Sequence, residues 1–421
     1  MKLEREQLVR TAVRENNKKR PYLLVNPSQG KHVPVSPHVA LSVFTALAEQ
    51  VEEQIGTQEP VLVIAFAETA TAIGAAVAAK LQNPTMLMQT TREVTYWNPS
   101  SCLHRDLSHG STNGQPTVDP DEERKGKISL GEERKNEALA PEIDAEKYLC
   151  FSETHSHATE QYITRDGLEQ ALKWAKHVVF VEDEVTTGNT ILHLMEVLKE
   201  AYSIGEVTFG VASILSGMTE ESKARYAEHG IWTRYLLHTD NAAIESTLGQ
   251  YSCQGDKHPV GTTYTSGPEV VEAWGMANIR SRAWRANAYD AACDALADAV
   301  CNAVPREAKN VLVLGTEECM YPGLRAGCML EEQGHTVLFH ATTRSPIQPS
   351  TELEYPLHSR YTLQSVYDAA RTTYIYNLQA YDRVCIVTDA PEPEKQGLST
   401  LLAALEQAGN THVTLFHWRS I

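Results

Sequence analysis

The stretch VVFVEDEVTTGNTIL, residues 178–192, admits few folds. Its first half is a short apolar run, which reads as a strand buried on both faces of a parallel sheet. The run ends in Glu182, Asp183 and Glu184. After Val185 come Thr186, Thr187, Gly188, Asn189 and Thr190, which open the helical pattern TILHLMEVLKEAY. The loop supplies threonine hydroxyls and the backbone N–H groups of a turn that Gly188 lets close tightly. The helix behind it adds free N–H donors and partial positive charge, so the loop can hold a phosphate without a lysine or arginine. Carboxylates beside a phosphate would repel it unless they face something else. A sugar diol is the natural partner: two carboxylates accept hydrogen bonds from adjacent hydroxyls and favour positive charge developing nearby. Side chains alternate along a strand, so Glu182 and Asp183 both reach one ligand only if the strand ends there and the chain turns. A solvated strand end with a helix cap would explain the loop alone, but not the acids and the loop together.

The rest of the chain gives that strand a sheet to sit in. A helical pattern spans 38–54, VLVIAF (61–66) reads as a strand, TAIGAAVAAKL (71–81) as a helix and TMLMQ (85–89) as a second strand. Strand, helix and strand at this spacing form a βαβ unit. From about 98 to 147 turn formers and mixed charge take over, with EERK at 122–125 and again at 132–135. This segment reads as a mobile, solvated insert. Order returns at YLCFSETHSHATEQ (148–161), and VTFGVASIL (207–215) and WTRYLLHT (232–239) read as later strands. An alanine-rich helix (284–304) precedes a second α/β segment that starts at NVLVLGTEE (310–318). The expected fold is α/β, with a mostly parallel sheet and helices on both faces in 1–280 and a second α/β domain in 281–421.

Bulk properties narrow the function. The formal charge of −17, from 54 acids against 37 lysines and arginines, argues against a grip on nucleic acid. No apolar run reaches about 18 residues, so no membrane span is expected. The first twenty residues are charged and lack an apolar signal core. Eight cysteines without a C-x-x-C pair read as free thiols in a reducing cytoplasm. Gly30-Lys31 lacks the earlier glycine of a Walker loop and is followed by His32, and no G-x-G-x-x-G follows a strand.

VVFVEDEVTTGNT resembles the phosphoribosyl diphosphate (PRPP) signature of type I phosphoribosyltransferases. The resemblance implies that Glu182 and Asp183 hold the ribose hydroxyls and that Thr186, Thr187, Gly188, Asn189 and Thr190 wrap the 5′-phosphate. It also implies that Mg²⁺-bound pyrophosphate leaves through an oxocarbenium-like transition state. AFAETATAIG (65–74) stands where the family has its pyrophosphate loop, matched by Ala67, Glu68, Thr69 and Ala70. Glu68 departs from the small residues common there. It is a candidate to bind Mg²⁺ through water, or to cap the following helix. QGKHVPVSP, AETATAIG, TTRE, ETHSHAT, GTEECMYPG and TTRSP together resemble the orotate-transferase-like branch associated with tellurite-resistance operons. That branch carries a C-terminal domain named after the motif that stands here as Thr343-Arg344-Ser345-Pro346. The resemblance implies a cytoplasmic homodimer that uses PRPP and Mg²⁺ on a small-molecule acceptor, with other proteins of those operons as partners. It does not identify the acceptor.

Five residues complete the candidates. Arg92 follows a strand end, where α/β sheets open their ligand crevice, and could neutralise pyrophosphate. His155 and His157 could contact substrate or move a proton, although two histidines without a third ligand make a poor metal site. Lys31 and Arg344 are further candidates. Two rivals to the transferase are a PRPP-sensing regulator without catalysis and a PRPP-making diphosphokinase, for which no ATP site is recognisable.

The two halves also align with each other. VLVIAFAE (61–68) reads against VLVLGTEE (311–318), TTR (90–92) against TTR (342–344), HSHAT (155–159) against HSRYT (358–362), and HVVFVED (177–183) against RVCIVTD (383–389). A reduced second copy of the fold is therefore expected, with Asp389 in the place of Asp183. That copy would not hold a phosphate. Thr388 replaces Glu182, Pro391 and Pro393 offer no N–H, and Glu392 and Glu394 repel an anion.

Overall fold

The strand His177–Val185 lies at the middle of a six-stranded sheet. The computed structural model describes residues 4–15, 17, 20–93, 144–151, 161–246 and 248–420. Most of the charged insert, and both His155 and His157, lie outside the described residues. In the sheet, Thr85–Gln89, Val61–Ala65, His177–Val185, Thr208–Ser216 and Ile231–His238 run parallel in that spatial order. Every residue of Val61–Ala65 is buried, as an all-apolar strand between two layers requires. The helix Thr71–Lys80 packs on this sheet, and Gly74 lets it approach closely: a Cβ there would lie 2.3 Å from the Ala65 Cβ.

A second, five-stranded sheet repeats the pattern. Thr336–Ala341, Asn310–Gly315, Arg383–Thr388 and Val413–Ser420 run parallel in the same relative order. The register is also the same. Val61 lies opposite Thr85 and His177, and Val311 lies opposite Val337 and Arg383. Counting along the strands equates Glu68 with Glu318, Arg92 with Arg344, Glu182 with Thr388 and Asp183 with Asp389. The helices keep step, Thr71–Lys80 with Tyr321–Glu332 and Asn189–Ala201 with Lys395–Gln407.

One expected anchor is corrected. Thr91 bridges Tyr162 and Thr343 bridges Tyr374, so the hairpins that follow correspond through these pairs. The hairpin registers then set 358–362 against 146–150, not against 155–159. The shared His-Ser string is not a structural equivalence.

The halves interlock reciprocally. Trp284, just before the helix Ala286–Ala303 of the second half, pairs antiparallel with Leu87 of the first sheet. Val35, just before the helix Pro37–Ile55 of the first half, bridges Phe339 of the second, and Leu87 and Phe339 are equivalent positions. These two helices and the pair Thr71–Lys80 and Tyr321–Glu332 form a shared layer between the sheets, within one continuous apolar core. Mutual contact of equivalent patches is the signature of a twofold interface; here it lies within one chain. Strands also cross the expected boundary at 280, since Glu269–Gly275 joins the second sheet and Trp284–Arg285 the first. No helix among the described residues is long and apolar enough to cross a membrane.

Lys31 sits in the interlock. Its side chain is fully buried, its Nζ is 2.5 Å from Glu68 Oε1, and it donates to the Glu317 carbonyl at 2.7 Å. Gly30 before it has φ +73° and lies so close to Phe339 that a Cβ would meet the ring at 2.4 Å. Replacing Lys31 by Met would leave Glu68 buried without its main counter-charge. Chemical denaturation of Lys31→Met is expected to show a loss of about 3–5 kcal/mol.

Candidate functional site

The strand His177–Val185 outruns its neighbour Val61–Ala65, and the acids stand on the overhang. The strand does not stop before them, so side chains keep alternating. Glu182 and Glu184 line a cleft together with Phe66, Gln161 and residues 185–191, and Asp183 points to the other side. Glu182 Oε2 is buried and has no hydrogen-bond partner among the described residues. Its carboxyl is pushed well above the ordinary range, by burial first and Asp183 next, while the charge of Arg92 works against that rise. Asp183 is pushed up to about 6, by burial and then by Glu184. Glu184 is neutralised by Arg20, at 2.5 Å.

The loop is held from behind. Gly188 has φ +73° and opens the helix Asn189–Ala201; a Cβ on it would lie 2.2 Å from Tyr226 Oη. Tyr226 donates to the Gly188 carbonyl at 2.9 Å, and Arg225 to the Thr187 carbonyl at 2.7 Å. With these carbonyls engaged behind the turn, the N-terminus of the helix Asn189–Ala201 stands at the cleft, and the Asn189 amide donates to Thr187 Oγ1 at 3.4 Å. Nothing in the sequence singled out Arg225 and Tyr226 for this role.

The pyrophosphate-loop candidates lie beside the cleft. Ala67 N–H donates to Thr90 Oγ1 at 2.8 Å, and the Ala67–Glu68 peptide is cis. Both readings of Glu68 are corrected. Its carboxylate is only 6% exposed, pairs with Lys31 and faces Arg344 at 3.7 Å, so it neither opens toward a metal nor caps the helix. Burial alone would raise its pKa, but Lys31 and then Arg344 hold it below the ordinary value. Lys31 is spent on the same pair. Arg344 is also engaged, by Glu317 at 3.0 Å and by Glu93. Arg92 differs: its amide donates to Glu318 Oε1 at 2.9 Å, but its Nε is buried with no hydrogen-bond partner among the described residues.

The second half shows what became of the equivalent site. Asp389 accepts from Tyr367 Oη at 2.7 Å and from Arg280 Nη2 at 2.6 Å, and it is 4% exposed. Thr388, in the place of Glu182, is tied to Thr316 at 2.9 Å. Asp389, in the place of Asp183, is thus covered by an arginine and a tyrosine. Arg280 comes from the linker, in a segment equivalent to the one that carries Lys31. Its pairing with Glu318 at 3.4 Å mirrors that of Lys31 with Glu68. No motif marks Arg280 in the sequence, whereas Glu318 is visible in the alignment of VLVLGTEE with VLVIAFAE.

A family model described as phosphoribosyl transferase matches residues 8–115 and 140–234. A second, described as the TRSP domain C-terminal to that transferase, matches 279–405. No curated protein matches the sequence. Among solved structures, adenine phosphoribosyltransferase from Rhodothermus marinus is similar at 13% identity, over 56% of this chain and 96% of that one, with a TM-score of 0.32. The Trypanosoma brucei enzyme in complex with AMP, pyrophosphate and ribose-5-phosphate is similar at 11% identity, over 56% and 80%, with a TM-score of 0.31. The Leishmania donovani enzyme gives 15%, 56%, 78% and 0.32 in the same terms.

The raised acids make a prediction about stability. A carboxyl whose pKa is raised by folding binds its proton more tightly in the folded than in the unfolded state. Its contribution to stability therefore grows as pH falls through about 6 toward 4 and is lost as pH rises. Thermal unfolding of Asp183→Asn is expected to show a higher Tm than the unaltered chain at pH 7.5 and a similar Tm at pH 4.

Proposed function

The chain belongs to the type I phosphoribosyltransferases that carry a C-terminal TRSP domain, and on that premise we propose that it transfers ribose 5-phosphate from PRPP to a nitrogenous base or related small acceptor, with Mg²⁺ and release of pyrophosphate. The observation that carries this reading is an unmet buried oxygen of Glu182 at the cleft, with the charge of Arg92 acting on its carboxyl. Among the described residues, Glu182 Oε2 lacks a donor and Arg92 Nε lacks an acceptor. Buried polar atoms are otherwise almost always satisfied, and a phosphorylated sugar brings both missing partners.

In this reading residues 186–190 cradle the 5′-phosphate with hydroxyls and helix-terminal amides. Glu182, on the cleft side of the strand, takes a ribose hydroxyl and stabilises positive charge as the glycosidic bond loosens, whereas Asp183, expected beside it on the diol, acts from the other side by adding to the rise that burial gives the Glu182 carboxyl. Arg92 and the backbone of Ala67–Ala70 face the departing pyrophosphate. Glu182 Oε2 suits a ribose hydroxyl or a magnesium-bound water. No group of three ligating side chains among the described residues lies at this cleft, so Mg²⁺ would be held mainly by PRPP itself and would neutralise the leaving group. A cytoplasmic setting, pairing with a second copy and contacts with other proteins of tellurite-resistance operons belong to the same proposal, as does a functional division near residue 280.

Incubation with Mg²⁺, PRPP and a panel of bases, followed by pyrophosphate release, tests the reading. Release that depends on an acceptor is expected, and it identifies the acceptor. Glu182→Gln should lower turnover by about 100-fold or more. Tight PRPP binding without turnover on any acceptor would favour a sensor instead.

A further inference from the structure

We propose that the C-terminal half serves as an internal second subunit whose Glu318 and Arg344 are positioning residues for Arg92. This rests on the transferase reading, because it assigns Arg92 to the pyrophosphate.

The turn that carries Arg92 is gripped from the other half at three successive residues. Glu318 Oε2 accepts from Thr91 Oγ1 at 2.7 Å and Glu318 Oε1 accepts from the Arg92 amide at 2.9 Å. The carboxylate of Glu93 is held by Arg344 and Arg371. Within the turn, Glu93 N–H donates to Thr91 Oγ1 at 2.8 Å. Glu318 is 2% exposed, so water cannot replace these bonds. A turn pinned at 91, 92 and 93 fixes where the Arg92 side chain starts, which is how a binding group is preorganised.

The asymmetry between the halves shows why Arg92 needs that help. Its counterpart Arg344 has a carboxylate of its own, since Glu317 lies 3.0 Å from Arg344 Nε. Glu317 is further held by Ser365 and by Arg371, the latter at 2.9 Å. The position equivalent to Glu317 in the first half is Ala67. The second half thus supplies its own anion to its arginine, whereas in the first half Arg92 Nε has no partner among the described residues. Arg344 pairs with Glu93 and so clamps the turn of its counterpart.

Calorimetric titration of the full chain with inorganic pyrophosphate plus Mg²⁺, and separately with ribose 5-phosphate, tests the assignment. Glu318→Ala is expected to weaken pyrophosphate by about 10-fold or more, as loss of two bonds to a buried carboxylate implies. Ribose 5-phosphate should be unaffected, because Glu318 does not touch residues 186–190. Glu318→Gln keeps an acceptor for the Arg92 amide and should restore most of the loss. Arg344→Gln, which leaves Glu318 in place, is expected to show the same selective weakening and serves if Glu318→Ala does not fold. Equal weakening of both ligands, or of neither, overturns the positioning role. Failure of the unaltered chain to bind either ligand overturns the transferase reading and this inference with it.

Discussion

The carboxylate of Glu318 reaches from one half of the chain to Thr91 and the Arg92 amide of the other, while Glu68 reaches back toward Arg344. The rest of the centre is organised around this exchange. Glu68, Glu93, Glu317, Glu318 and Asp389 meet there with Lys31, Arg280, Arg344 and Arg371. Groups buried this deeply must be neutralised, and removing one partner costs more than the pair contributes. Burial pushes the Glu93 carboxyl up to about 7, with Glu318 and Glu317 adding to the rise against Arg344 and Arg371. The surrounding apolar layer holds the sheets together, and the charge network fixes their register.

Two copies of one fold explain both the symmetry and its breaking. The shared strand order and register place an acid, an arginine and a loop at the same points in each half. In the first half Glu182 Oε2 and Arg92 Nε have no hydrogen-bond partner among the described residues. In the second, Asp389 is paired with Arg280 and Tyr367, and Arg344 with Glu317. The groups that could bind a ligand in one half stabilise the interface in the other. An unpaired group in the first half lowers stability, and a binding site commonly carries that cost.

Much of this was legible in the sequence because it depends on local pattern. Apolar runs such as VLVIA mark strands buried on both faces, and Thr-Thr-Gly before an amphipathic run marks a loop at a helix start. The alignment of VLVIAFAE with VLVLGTEE sets Glu318 in the place of Glu68. Pairings across the interface were not legible, because they depend on which faces meet. Lys31 and Arg344 look like ligand groups in isolation, yet both are occupied by glutamates, Lys31 by one 37 residues along the chain and Arg344 by one in the other half. The HSHAT and HSRYT strings misled for a related reason. Hairpin register is set by the Thr91–Tyr162 and Thr343–Tyr374 bridges, which no short string encodes. Arg280 sits in a linker without any motif, and only the fold brings it to Asp389.

The central claim is that one of two equivalent sites is open and the other is filled by the chain's own side chains. The stoichiometry of PRPP binding to the full chain in the presence of Mg²⁺ tests this most directly. The account predicts one PRPP per chain. Two per chain, or a single site that survives substitution of Thr186 and Thr187 but is lost on substitution of Asp389, would contradict it.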